Sequence, residues 1–175
     1  MNKIYVTGLP GSGKTHTGRL LATRLGWDFI DLDAEVAKLA GKPVARIFAE
    51  DGETIFREWE QKALHATQAD YECVISCGGG TPAWFDNMDW MEKHGLTIFL
   101  NPHIDQIVRR LIENPESRPL FPELNEVAVR QKLSEFVENR GEYYSRAKMV
   151  WNRDEPNDNF YFAVNQLLSL YSARL

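Results

Sequence analysis

Residues 8–15 read Gly-Leu-Pro-Gly-Ser-Gly-Lys-Thr, a full match to G-x-x-x-x-G-K-S/T, and no other stretch limits the possible folds as strongly. The octapeptide follows a β-branched run, Ile4 to Thr7, and opens a helical pattern, Lys14 to Leu25. In that context the glycines let the backbone curl until successive N–H groups point inward at phosphate oxygens, and the helix N-terminus adds partial positive charge. Gly11, Ser12, Gly13, Lys14, Thr15 and His16 are the expected nucleotide contacts, with Lys14 reaching the outer phosphates and Thr15 offering its hydroxyl to Mg2+. A ligandless glycine turn is the alternative, and the preceding strand and the full eight-residue fit argue against it.

Five short strand-like runs punctuate the chain: Ile4 to Thr7, Asp28 to Asp31, Cys73 to Cys77, Thr97 to Leu100 and Met149 to Trp151. Helical patterns lie between them, and that alternation predicts an α/β fold with a mostly parallel sheet covered on both faces. Thr81-Pro82 reads as a helix cap followed by proline at the first helical position, with Gly95 at the stop. Residues 114–125 hold three prolines, which predicts a lid-like loop. At 175 residues, with no repeat and no change of composition, one domain spanning residues 1–175 is expected.

A formal net charge of −5 speaks against a nucleic acid or an anionic membrane as partner, since both call for net basic surface. Cys73 and Cys77 match neither zinc ligation nor a redox motif and read as small buried residues of a reducing compartment. With no export signal at the N-terminus and no long apolar run, a cytoplasmic location is expected, and the protein is expected to be a monomer.

A nucleotide alone leaves several features unexplained. No carboxylate ends the third strand at Ser76-Cys77-Gly78, so an acidic partner for Mg2+ is sought at Asp31-Leu32-Asp33, where extended geometry would point both acids the same way. Helix capping by Asp33 is the plainer alternative. Arg57 and Glu60 are spaced i,i+3, so Glu60 could orient the guanidinium, against the plainer reading of a surface ion pair. Gly78, Gly79 and Gly80 close a buried strand, where the chain must turn sharply or let a ligand approach its backbone. Seven of the twelve arginines lie between Asn101 and Arg153, a basic region from which one or two could clamp an acid while most are solvated.

Taken in order, Gly8 to Thr15, Asp31-x-Asp33, Phe56-Arg57-x-x-Glu60, Gly78-Gly79-Gly80, Arg118-Pro119-Leu120 and Arg140 resemble the shikimate kinases over nearly the whole chain. The resemblance implies a P-loop kinase fold of three layers, with a five-stranded parallel sheet in the order 2-3-1-4-5, and transfer of the ATP γ-phosphoryl group to the 3-hydroxyl of shikimate. It implies that Asp33 binds and orients the attacking hydroxyl, and that Asp31 helps hold Mg2+ through water. It places Arg57 and Arg140 on the substrate carboxylate and the amides of Gly79 and Gly80, beside Gly78, against the substrate. Phe48 and Phe56 would wall the pocket, within a substrate segment of about residues 33–62. Lys14 and the lid residue Arg118 would neutralise charge during transfer, and Arg110, with Arg153 in the loop Asn152 to Pro156, would lie on the adenine side.

The chain also departs from that pattern. His16 stands where relatives carry a small hydroxyl residue, Pro10 and Ser12 give the loop a look of adenylate kinase, and Phe121-Pro122-Glu123-Leu124 is only loosely family-like. Trp59, Trp84, Trp90, His65, His94 and His103 are expected to pack or lie at the surface. A nucleoside-monophosphate kinase would leave the triple glycine and the Arg57/Glu60 pair unexplained. A gluconate kinase would bring acid and arginine motifs that are missing here, and a noncatalytic nucleotide-binding switch or regulator would not need Asp33, Arg57, Arg118 and Arg140 together, while the guanine-reading Asn-Lys-x-Asp of GTP switches is absent.

Overall fold

The computed structural model describes residues 2–69, 71–114, 121, 123–153 and 155–172. The element order is β1 (Lys3–Gly8), α1 (Lys14–Leu25), β2 (Asp28–Asp31), α2 (Leu32–Ala40), α3 (Val44–Glu50), α4 (Gly52–Ala66), β3 (Cys73–Ser76), α5 (Asn87–His94), β4 (Leu96–Leu100), α6 (Ile104–Glu113), α7 (Glu126–Ser145), β5 (Met149–Trp151) and α8 (Asp158–Ser172), with single 3-10 turns at Thr67–Ala69 and Thr81–Ala83. The five strands form one parallel sheet in the order β2-β3-β1-β4-β5. All five expected strands are present, displaced by at most a residue or so at their ends.

Side-chain alternation along the central strands divides the core in two. Tyr5, Cys73, Ile75 and Cys77 point into a cluster with Leu32, Ile47, Phe56, Leu64 and Met91, beneath α2 to α5. Ile4, Val6 and Val74 point the other way, onto Leu21 of α1 and Phe160 and Val164 of α8. Fully burying each such large apolar side chain is worth roughly 1.5–3 kcal/mol, so the two faces hold the three-layer arrangement. A third cluster joins Leu9 to α6 and α7 through Ile107, Leu111, Leu133 and Phe136.

Because the strands run parallel, the loops after β1, β2 and β3 leave the same sheet edge, where α/β proteins bind ligands. The phosphate loop, Asp31 to Asp33 and Gly78 to Gly80 are thereby brought together from separate parts of the sequence.

Two local expectations fail. The helix expected from Pro82 starts late: Thr81–Ala83 makes one 3-10 turn, and α5 runs only over Asn87–His94, ending at Gly95 as expected. The Thr81 hydroxyl is engaged by Glu60 at 2.6 Å, and the Asn87 amide donates to the Thr81 carbonyl at 2.9 Å, so tertiary contacts take the groups a helix start would use. The second concerns Asp33, which lies in the first turn of α2 and not in an extended segment. Asp31, not Asp33, caps that helix, accepting from the Asp33 amide at 3.2 Å.

Candidate active site

A cavity of about 860 Å³ opens at this edge, lined at one end by Gly11, Gly13, Lys14, Thr15 and His16 and at the other by Phe48, Phe56, Arg57 and Gly78 to Gly80. At the first end Gly11 and Gly13 adopt φ of +82° and +91°, left-handed conformations that favour glycine and curl the loop. Lys14 Nζ donates to the Leu9 carbonyl at 3.0 Å, folding the side chain back over the loop. The Thr15 hydroxyl donates to Asp31 Oδ2 at 3.2 Å and lies 3.4 Å from the Ser76 hydroxyl. These are oxygen donors only, a set suited to a hard divalent cation that keeps several waters. The residues therefore fit Mg2+ held jointly with nucleotide phosphates.

The opposite end is built around a buried ion pair. Arg57 is 2% exposed and Glu60 0%, which removes the surface-pair reading. Arg57 Nη1 donates to Glu60 Oε2 at 2.8 Å and Nη2 to Glu53 Oε1 at 2.8 Å. Burial works against the Arg57 charge, but the two carboxylates more than offset it and hold the guanidinium above its ordinary value. The remaining Glu60 oxygen accepts from Thr81. Trp84 lies over the guanidinium with 5.5 Å from Cζ to its ring.

This pair explains two of the three glycines, Gly78 and Gly80, whereas a Cβ on Gly79 would meet Pro10 and the Gly8 carbonyl. A Cβ on Gly78 would lie 2.4 Å from Glu60 Oε1, and one on Gly80 2.5 Å from Arg57 Nη2. The close approach expected at Gly78 and Gly80 is made, in this structure, by the protein's own Glu60 and Arg57 side chains.

Between the ends stands Asp33, open to the cleft and surrounded elsewhere by protein. Burial, then the carboxylates of Glu60 and Asp31, push its carboxyl up to about 6, with Lys14 and Arg57 acting the other way. It is therefore mostly ionised at neutral pH and poised to take a proton. Neighbouring Cys77 also lines the cavity, but burial pushes its thiol up and leaves it an inert neutral group.

Of the other expected residues, Phe48 and Phe56 pack at 4.5 Å between ring centroids, and Arg110 lines the nucleotide end. Arg140, Ser12 and Arg153 are not on the cavity wall. Arg140 is buried with Cζ 3.9 Å above the Phe136 ring and Nη1 without a partner among the described residues, Ser12 is buried in the loop, and Arg153 points to solvent. Arg118 and most of the lid lie outside the described residues. Three arginines of the basic region are spent on surface carboxylates: Arg109 on Glu113, Arg130 on Asp105 and Glu126, and Arg146 on Asp89 and Glu92. Trp90 packs between His65 and His94, and His103 caps α6.

Sequence reasoning missed Ser76, Trp84, Tyr144 and Glu155. Ser76 had a signal, the end of a strand beside the phosphate loop. Glu155 pairs with His16 at 3.2 Å and approaches Arg110 at 3.8 Å across the nucleotide end, a pairing that no motif announces.

A family model described as shikimate kinase matches residues 10–169. The chain is 37% identical over 160 residues to a shikimate kinase of Bacteroides thetaiotaomicron, covering 91% of both chains, and 37% identical over 152 residues to that of Chlorobaculum parvum, covering 84% of this chain and 81% of the other. Among solved structures it is similar to the shikimate kinase of Bacteroides thetaiotaomicron, with TM-score 0.86 and 35% identity over 95% of this chain and 98% of that one. It is also similar to the Acinetobacter baumannii shikimate kinase in complex with shikimate, with TM-score 0.80 and 27% identity over 99% of this chain and 94% of that one. Matched over nearly its full length by that family model and by relatives above 30% identity, the chain belongs to the shikimate kinase family, ATP-dependent small-molecule kinases with the P-loop fold.

Proposed function

We propose that residues 1–175 act as one kinase domain whose cleft holds MgATP at the Gly11–His16 end and shikimate at the Arg57 end, with Asp33 at the reacting hydroxyl. The observation that carries this reading is the position of Asp33, reached by the fields of both Lys14 and Arg57 within a single cavity. Arg57, held by Glu60 and Glu53, presents a fixed guanidinium to the acid's carboxylate. Arg140 joins it by leaving Phe136 when substrate enters, an expectation supported by its Nη1, which has no partner among the described residues. Phe48 and Phe56 wall the ring of the acceptor, and Gly78 to Gly80 offer backbone.

In the reaction the 3-hydroxyl oxygen forms a bond to the γ-phosphorus as the bond to the β,γ-bridging oxygen breaks, releasing ADP, and the hydroxyl proton passes to Asp33. Proton loss can lag in a loose transition state, so the first duty of Asp33 is orientation. Lys14 spreads the charge of the transferring group, joined by Arg118 from the lid. Arg110 and the loop of Arg153 bound the adenine side. Mg2+, when bound through Thr15 and Asp31, neutralises phosphate charge.

The test is ADP release from MgATP with shikimate, gluconate, AMP or no acceptor. Release that depends on shikimate alone is expected; release with another acceptor only would remove the carboxylate assignment.

A further inference from the structure

Tyr144 belongs to none of the chain's ordered motifs, yet its hydroxyl donates to the carbonyl of Gly79 from a position 65 residues away in sequence. The residue is 3% exposed, and its ring stacks on Phe99 of β4 with centroids 4.5 Å apart and planes 9° from parallel. The stack leaves the phenol little freedom to point elsewhere. The Arg140 guanidinium stands next to the same oxygen, and Arg146, two residues further on, ties the end of α7 to Asp89 and Glu92 of α5.

The geometry of the Gly79–Gly80 peptide gives this bond a consequence. In a planar trans peptide the carbonyl and the following N–H point in opposite directions, so holding the Gly79 carbonyl toward Tyr144 turns the Gly80 N–H the other way. Both glycines line the cavity, and among the described residues neither amide donates to a protein acceptor. On the other side Arg57 occupies the space where a Gly80 Cβ would be. The peptide is thus gripped between α4 and α7, and its N–H turns away from Tyr144.

We propose that Tyr144 is a positioning residue for the acid-binding end, its hydroxyl fixing the Gly79–Gly80 peptide so that an amide donor faces the acceptor substrate. The proposal rests on the reading of that end as the shikimate site.

The decisive variant is Tyr144→Phe, which keeps the ring stack and deletes only the donor, with Tyr143→Phe as control. Expected for Tyr144→Phe is a rise of about tenfold in the KM and Kd for shikimate, the scale of one lost hydrogen bond. The KM for ATP should stay within about twofold, and the 15N resonance of the Gly80 amide should move because its peptide carbonyl has lost a donor. An unchanged KM for shikimate, or an unmoved Gly80 resonance, in a wild-type background active with shikimate would overturn the role of Tyr144. Equal loss of affinity for both substrates together with a lower Tm would reduce it to packing and overturn it as well. A wild-type protein that released no ADP with shikimate would instead overturn the acceptor assignment, and with it the ligand this proposal names.

Discussion

The two ends of the cleft are built on different principles. The nucleotide end is built mainly on one contiguous stretch, Gly8 to His16, whose shape comes from glycine backbone geometry and a helix start; Lys14, Thr15 and His16, its cavity-lining side chains, are half-buried or exposed. At the acid end four separated segments meet, and their centre is a charged pair with exposures of 2% and 0%. A local site can be changed residue by residue without unfolding the protein, whereas a site assembled around buried charge makes function and stability inseparable.

The largest expected effect tests the point where the ends meet. Asp33→Asn should lower turnover by about 10³-fold, within the range of general acid–base contributions, while ATP still binds; undiminished turnover would remove Asp33 from the chemistry. The same variant should raise Tm. A carboxyl titrating at about 6 in the fold against 3.8 unfolded binds more protons folded than unfolded, so its stability contribution falls as pH rises between those values. The cleft screens Asp33, which leaves a gain on the order of 1 kcal/mol at pH 7. In wild type, kcat/KM for shikimate should fall as pH drops through about 6 and Asp33 takes a proton.

Next is Glu60→Ala, which leaves Arg57 buried without its fully buried partner. A loss of roughly 3 kcal/mol is expected, read as a lower denaturation midpoint, whereas Lys14→Ala at the other end should lower turnover by less than Asp33→Asn does and leave stability within about 1 kcal/mol. Equal effects of the two on stability would erase the contrast between the ends. Gly80→Ala, with its added Cβ at 2.5 Å from Arg57 Nη2, should displace the guanidinium and weaken shikimate binding about tenfold, on the scale of a charge-assisted hydrogen bond. Calorimetric titration with shikimate decides it.

The smallest effect belongs to His16→Thr. The His16–Glu155 pair has both side chains 61% exposed, and exposed pairs contribute little. KM for ATP should change by less than about threefold and that for shikimate not at all. A larger change would make this departure from the family pattern a true nucleotide determinant.

Residue type and spacing alone made the strands, the phosphate loop and the Arg57/Glu60 neighbours legible, because each is set by interactions within a few residues. Thr81-Pro82 misled for the same reason: its local cap signal was sound, but Glu60 and Asn87 claimed the groups it needed. Asp31 and Asp33 were correctly placed at the cleft on a mistaken geometry, since the strand ends at Asp31 and the helix begins at Leu32.

By itself, then, the sequence determined that the chain is a parallel α/β protein with a phosphate-cradling loop, and through its ordered motifs it pointed to the family. Only the tertiary structure decided that Arg57 is buried, that Gly78 and Gly80 make room for its ion pair, that Arg140 rests on Phe136 off the cavity wall, and that Tyr144 grips Gly79. Backbone propensity and periodicity act over a few residues and are written in order along the chain, while pairings across 21 or 65 residues exist only once the sheet has brought its strand ends to one edge.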